Sequence, residues 1–435
     1  MVKLFYKKTV RQAQLAGKNV LLRADFNVPI SKNGDVIDDY RIRKTLPTIE
    51  HIIGSGASLG IIAHLGRPKN GYYKNLSLEP VAKKLQDLLH KTVIFVPDCI
   101  GPQAKEAWAS KPKDAIILFE NVRFYNEEAI NDDIFATQLA DGFDIFVQDA
   151  FGIVHRKHAS IEAITHHLPS YAGILLENEV TTITKAIEHP DLPLAVVVGG
   201  AKIADKIDLL HTFIDKADYV AVVGAMANTF LLALGYDVGA SLVDPKSVKN
   251  AKEIIHRANT KSKKQEFTFY LPHDVVVSTA IDVAKPTRVV DIAQHTWADI
   301  TAYPARPKKH SFTVGKQEII ADIGPMSASA IAGAISLSKT VIWNGTAGIT
   351  ETLGLNGAAA PYAHGTKIIA EALCGEHAGH KNKPFSIVGG GDTVAYVESV
   401  DGLREQLGHV STGGGASLDV LAGKKLPGVE ALLSA

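Results

Sequence analysis

The chain has 435 residues, in which 46 Lys and Arg balance 46 Asp and Glu, so no bulk electrostatic case exists for nucleic acid or an anionic membrane. A length beyond roughly 250–300 residues, where one core stops growing, calls for two domains. Cys99 and Cys374 are too few and too far apart for a disulfide framework and lack metal-ligand spacing; with no apolar leader and no apolar run near the roughly 18 residues of a membrane span, a soluble, unprocessed cytoplasmic protein is expected.

Short β-branched runs at 19–22, 59–62, 92–96, 115–118 and 143–147 alternate with amphipathic stretches, among them 43–53 and 78–89, whose apolar positions recur at helical spacing. Continuous apolar strands alternating with helices predict parallel sheets covered on both faces. Residues 173–189 carry the stripe Ile174, Leu175, Val180, Ile183 and Ile187, closed by Pro190 and Pro193, and predict a long connecting helix. Strands are then predicted at 194–198, 219–223, 268–271, 340–343 and 386–388. The expected fold class is α/β: two doubly wound parallel-sheet lobes joined by a long helix, with an open interdomain cleft. The lobes are expected at 1–172 and 191–405, the helix at 173–190, and a glycine-rich segment suited to a hinge at 406–435.

In open parallel sheets, ligands bind beyond the carboxyl ends of strands, where the polar islands of this chain fall. Up to residue 160 these islands are basic: Arg23-Ala24-Asp25-Phe26-Asn27, Arg41-Ile42-Arg43, His64-Leu65-Gly66-Arg67, Asn121-Val122-Arg123 and His155-Arg156-Lys157-His158. Several fork-shaped donors suit a small polyanion, because one guanidinium orients only one planar anionic face. Any single Arg reads equally well as a strand-end ion pair, and it is the clustering that favours a site. His155 and His158 have metal-ligand spacing but no third ligand; the His166-His167 pair reads as surface or core. Beyond 198 the islands are glycine-rich: Gly199-Gly200-Ala201-Lys202, Asn344-Gly345, Gly389-Gly390-Gly391-Asp392-Thr393 and Ser411-Thr412-Gly413-Gly414-Gly415. Such turns bring peptide N–H groups and a lysine against phosphates. The first is not a P-loop, lacking its spacing, and Asp392 alone is equally a helix cap. A dinucleotide-dependent dehydrogenase also uses parallel sheets and glycine turns, but no Gly-x-Gly-x-x-Gly follows a strand with an acidic residue about 20 positions on.

Together these motifs resemble the phosphoglycerate kinase family from one end of the chain to the other. The resemblance rests on 23–29, 39–43, 64–68, 120–124, 149–156, 199–202, 389–393 and 411–415. It implies reversible phosphoryl transfer between 1,3-bisphosphoglycerate and Mg·ADP, giving 3-phosphoglycerate and Mg·ATP. It further implies that Asp25, Asn27, Arg41, His64, Arg67, Arg123 and Arg156 contact 3-phosphoglycerate, with Arg67, Arg123 and Arg156 on its phosphate, Asp25 and Asn27 at its hydroxyl end, and Arg41 facing the transferring phosphoryl. Lys202 and Lys206 join Arg41 as catalytic residues. Gly199, Gly200, Asn344, Glu351, Gly390, Gly391, Asp392 and Thr393 complete the nucleotide site, Glu351 on the ribose and Asp392 on Mg²⁺. The tail is expected to return to the N-terminal lobe, and the protein to be a monomer. Two departures bear on the nucleotide pocket: Thr346 stands where relatives carry proline, and 222–226 holds one glycine, Gly224, where they usually have three. These departures motivate a rival reading as a non-catalytic binding protein, opposed by retention of Arg41, Lys202, Lys206 and Asp392. The segments 294–316 and 374–383 look divergent and have no functional account.

Overall fold

A computed structural model of the chain describes residues 5–69, 71–200, 203–293, 312–352, 354, 360–376 and 382–435. The chain divides into two compact units, Met1–Thr182 with Gly415–Ala435, and Ile183–Gly414. Among the described residues, no helix is long and apolar enough to cross a membrane.

The first unit is built on β1 (Asn19–Arg23), β2 (Ser58–Ile62), β3 (Val93–Val96), β4 (Ile116–Phe119), β5 (Ile145–Gln148) and β6 (Ser170–Ala172), all parallel in the order β3-β4-β2-β1-β5-β6. Central strands are apolar on both faces because helices cover both, so Val20, Leu21 and Leu22 are all fully buried. The helix predicted at 43–53 spans Tyr40–Gly54 and buries Ile42, Thr45, Ile49 and Ile52 on one face. The one predicted at 78–89 spans Glu79–Leu89 and ends at His90, whose φ of 52° is left-handed. Loops leaving β4, β2, β1 and β5, four strands adjacent in the sheet, carry the basic islands to one edge. The chain's last segment belongs to this unit: Lys8 N–H donates to Leu433 O at 2.7 Å, Gly428 N–H to Val154 O at 2.9 Å, and Lys7 Nζ to Glu430 O and Leu432 O.

The helix predicted at 173–189 spans Ile174–Glu188, and the division between the units falls within it. The second unit holds β7 (Leu194–Val198), β8 (Tyr219–Val222), β9 (Thr268–Tyr270), β10 (Asp274–Ser278), β11 (Thr287–Asp291), β12 (Ile319–Ile323), β13 (Thr340–Asn344), β14 (Phe385–Gly389) and β15 (His409–Val410). Its main sheet is parallel, in the order β15-β14-β13-β7-β8-β9, around a core that includes fully buried Trp343. Beside it stands an antiparallel sheet, β11-β10-β12, which the sequence reading did not separate. Its Val275, Val277 and Val290 pack with Leu231, Val238 and Val314 in a small core of their own.

Candidate active site

In the first unit the basic islands meet. Asp25, two residues past β1, is buried and accepts from Arg41 Nη1 at 2.5 Å, so the first turn of helix Tyr40–Gly54 is tied to the β1 loop. Asn27 Oδ1 accepts from Gly66 N–H at 2.8 Å and Arg123 Nη1 donates to Gly66 O at 2.7 Å; together they clamp the β2 loop from both sides. That loop carries His64, buried, and Arg67, exposed. Asn121 shapes the β4 loop by accepting from Arg123 N–H at 3.1 Å while its Nδ2 donates to Leu65 O and Leu76 O. Arg156, after β5, donates from Nε to His155 Nε2 at 3.3 Å.

The cluster is electrostatically crowded. Burial, then the charges of Arg23, Arg123 and Arg41, hold His64 well below the ordinary histidine range, so its ring is neutral. Burial, then Arg23, pushes Arg123 down to about 10. Cations held so close, with Asp25 and Glu128 as buried counter-charges, have the chemistry to receive a small, highly charged anion.

In the second unit a cleft of about 550 Å³ is lined by Gly200, Gly224, Ala225, Thr346, Glu351 and Asp392 at its polar end and by Leu231, Val275 and Ile320 among its apolar walls. At its floor, β7 and β13 end side by side, and Gly199 N–H donates to Asn344 O at 2.8 Å. Gly345 has φ of 119°, and a Cβ there would stand 2.4 Å from the Gly199 carbonyl carbon. Lys206 Nζ donates to Asn344 Oδ1 at 2.7 Å and to Gly199 O. With Oδ1 so engaged, the buried Asn344 Nδ2 has no partner among the described residues, and it lies 3.2 Å from where a Cβ on Gly390 would stand. An orphaned N–H donor beside a glycine turn is what an anion's oxygen would satisfy. Gly390 (φ 93°) leads into helix Gly391–Ser399, with Asp392 in its first turn and Thr393 Oγ1 accepting from Gly345 N–H at 2.7 Å.

The structure places Asp25, Asn27, His64, Arg67, Arg123 and Arg156 on the loops leaving β1, β2, β4 and β5 and Arg41 on the first turn of helix Tyr40–Gly54; Gly200, Asp392 and exposed Glu351 line the cleft, and Gly199, Lys206, Asn344, Gly390 and Thr393 are joined to one another or to Gly345 beside it. Lys202 lies outside the described residues, as do most of 294–316 and half of 374–383. The departures acquire a geometry. Gly224, with φ of 65°, is where a Cβ would stand 2.6 Å from Thr346 O, whereas Ala225 and Ala227 are accommodated in the wall. At position 346 the carbonyl seals this floor, an atom any residue supplies. Sequence reasoning did not assign Arg23, Glu128 or Asp322, all buried; Asp322 lines the cleft, accepts from Ile323 N–H and Gly365 N–H, and is pushed up to about 7 by burial. Of these, only Arg23 gave a signal, as the first member of a basic island. Among the described residues, no group of three or more His, Cys, Asp or Glu is arranged to hold a metal.

A family model described as phosphoglycerate kinase matches residues 10–424. The chain is 42% identical over 426 residues to the phosphoglycerate kinase of Moorella thermoacetica, covering 98% of this chain and 99% of that protein. It is equally 42% identical over 431 residues to that of Chloroflexus aurantiacus, covering 99% of each. Among solved structures, the phosphoglycerate kinase of Coxiella burnetii superposes with a TM-score of 0.77 at 34% identity, and that of Pyrococcus horikoshii OT3 with 0.75 at 27%, each covering 98% of both chains.

Proposed function

This chain belongs to the phosphoglycerate kinase family and is a phosphotransferase acting on a carboxyl group, and from that premise we propose how its residues divide the work. The observation that carries the proposal is the convergence of four loops, from β1, β2, β4 and β5, into one cationic cluster holding neutral His64. The anion in that cluster is 3-phosphoglycerate or, in the other direction, 1,3-bisphosphoglycerate. Arg67, Arg123 and Arg156 hold its phosphate; Asp25 and Asn27 orient its hydroxyl end. Arg41, partly exposed while Asp25 engages one of its nitrogens, faces the transferring group and stabilises its equatorial oxygens.

ADP or ATP occupies the cleft of the second unit, its base against the apolar walls, its ribose toward Glu351 and its phosphates toward Gly199, Gly200, Asn344 and the start of helix Gly391–Ser399. Two features support this: the orphaned Asn344 Nδ2 and the absence of Cβ atoms at Gly200 and Gly390. Lys206 and Lys202 complete the phosphate site. The carboxylate oxygen of one ligand and the terminal phosphorus of the other must meet in line, so positioning and charge, with no side-chain nucleophile, do the chemistry. A magnesium ion fits this donor set: Mg²⁺ is commonly held by one or two carboxylates plus phosphates and water, and Asp392 supplies a carboxylate in the cleft. When bound, it neutralises phosphate charge. A cytoplasmic location and a monomeric state belong to the same proposal.

The test is a coupled assay of ATP- and Mg²⁺-dependent phosphorylation of 3-phosphoglycerate, with GTP run in parallel. Turnover at ordinary kinase rates, on the order of 1–100 per second or more, is expected. No turnover with intact 3-phosphoglycerate binding would instead install the non-catalytic reading.

A further inference from the structure

Beneath the cationic cluster lies a buried polar chain that the substrate-facing residues do not account for. Arg23 and Glu128 are both fully buried, yet Arg23 Nη2 and Glu128 Oε1 stand 3.9 Å apart, too far for a hydrogen bond. Ser160 bridges them. Its Oγ donates to Glu128 Oε1 at 2.7 Å and accepts from Arg23 Nε at 2.8 Å, while its N–H donates to Glu128 Oε2 at 2.8 Å. On its other edge the guanidinium donates to Ala24 O at 2.5 Å and reaches His64 Nδ1 at 3.3 Å.

A guanidinium can only donate, so His64 Nδ1 must be a bare acceptor. Burial first, and then Arg23, Arg123, Arg41 and His158 around the ring, disfavour a second proton. Its single proton therefore sits on Nε2, for which the described residues supply no hydrogen-bond partner. The carboxylate and phosphate of the anion proposed for this cluster present acceptors, its hydroxyl being assigned to Asp25 and Asn27, and toward those oxygens the opposite tautomer would set lone pair against lone pair.

We infer that Glu128 is a positioning residue for His64: through Ser160 and Arg23 it fixes the imidazole as its neutral Nε2–H tautomer, so that His64 offers a hydrogen-bond donor to the carboxylate or phosphate of the three-carbon acid. The inference rests on the proposed assignment of that anion. It also explains why a charged pair is retained where well-packed apolar groups would stabilise the fold as well or better.

The tautomer is read directly from ¹⁵N spectra of the intact, ligand-free protein labelled at histidine, with His64 identified by comparison with His64→Gln. From about pH 5.5 to about pH 8, a span that titrates an ordinary histidine, His64 is expected to keep a protonated Nε2 and a bare Nδ1. Ser160→Ala, which removes the bridge, and Glu128→Gln, which removes the charge, are expected to mix the tautomers. Each should raise KM for 3-phosphoglycerate roughly tenfold, the equivalent of one hydrogen bond, with kcat and KM for ATP changing less than about twofold. An imidazolium or an Nδ1–H tautomer in the unsubstituted protein overturns the inference whether or not either variant folds. So does an unchanged KM in variants whose tautomer has shifted. Failure of the unsubstituted protein to turn over 3-phosphoglycerate would sink the functional reading, and that result is scored separately from the tautomer.

Discussion

Replacing Gly345 with alanine tests the floor of the cleft proposed to hold the nucleotide. A methyl group there would meet the Gly199 carbonyl carbon, Cα and N at 2.4, 2.5 and 2.6 Å, all backbone atoms of the neighbouring strand end. The residue cannot easily step away, because its N–H donates to Thr393 Oγ1 at 2.7 Å and its carbonyl accepts from Trp343 Nε1 at 2.9 Å. A φ of 119° adds about 1–3 kcal/mol of backbone strain for a residue with a side chain, and overpacking adds about 1–3 kcal/mol more. If the strand ends separate instead, a buried hydrogen bond is lost at about 1–3 kcal/mol. Added to the backbone strain, either route predicts a loss of about 2–6 kcal/mol, which most folds of 5–15 kcal/mol survive. Gly34→Ala is the control: φ is 88°, and nothing lies within 4 Å of the added carbon, so only backbone strain of about 1–2 kcal/mol applies. Urea denaturation of both variants isolates the steric part, and titration separates the ligands: ATP binding should weaken at least tenfold in Gly345→Ala while 3-phosphoglycerate binding stays within about twofold. A Gly345→Ala penalty no larger than that of Gly34→Ala, with ATP affinity intact, would refute the reasoning.

Arg41→Ala should lower kcat by roughly 10³-fold or more while 3-phosphoglycerate affinity changes far less, because its guanidinium is assigned to transition-state charge; equal losses in both would remove that assignment. Asp392→Ala should raise the magnesium and nucleotide concentrations needed for turnover and leave 3-phosphoglycerate binding unchanged, as judged by equilibrium titration of each ligand alone. Burial pushes the Asp149 carboxyl up to about 7, outweighing the hydrogen bonds that Thr48, Leu176 and Leu175 give it, among them Leu176 N–H at 3.0 Å to Oδ1. A folded pKa raised above the unfolded value of about 3.9 means the proton binds the native state more tightly, so this stabilising effect is complete below about pH 4 and lost as pH rises through about 7. The difference in unfolding free energy between the unsubstituted protein and Asp149→Asn should therefore shift by about 4 kcal/mol across that window, and a flat difference would contradict a buried, raised carboxyl.

The strands were legible where burial on both faces leaves an unbroken apolar run, as at 194–198, where every residue of β7 is buried. The connecting helix was legible to within a residue at each end because its apolar stripe and two prolines bracket it. Helix Tyr40–Gly54 begins three residues earlier than its periodicity suggested, since Ile42 is buried but its neighbours Tyr40 and Arg41 are polar at their tips. Strands β6 and β15, three and two residues long, are too short to show any period. The antiparallel sheet was hidden for a different reason. Its central strand, with three consecutive valines at 275–277, reads like a buried parallel strand, and only pairing with β11 and β12 distinguishes the two, a long-range outcome that local pattern does not encode.

The basic islands were legible as a group, but their internal division was not. Arg23 and Arg67 look alike in sequence, each a cation just past an apolar run, yet one is wholly buried and the other exposed. The difference follows from the alternation of strand side chains and from what lies below: Arg23 is the last residue of β1, and the pocket it enters contains Glu128 and Ser160, more than 100 positions away. Burying that charge has a cost that Glu128 only partly offsets, and the same charge contributes to lowering both His64 and Arg123. The repulsion is greatest in the ligand-free protein and falls when a multiply charged anion enters. Part of the affinity proposed for this site therefore originates in cation repulsion already held by the fold, to which Arg23 contributes from below the substrate-facing residues.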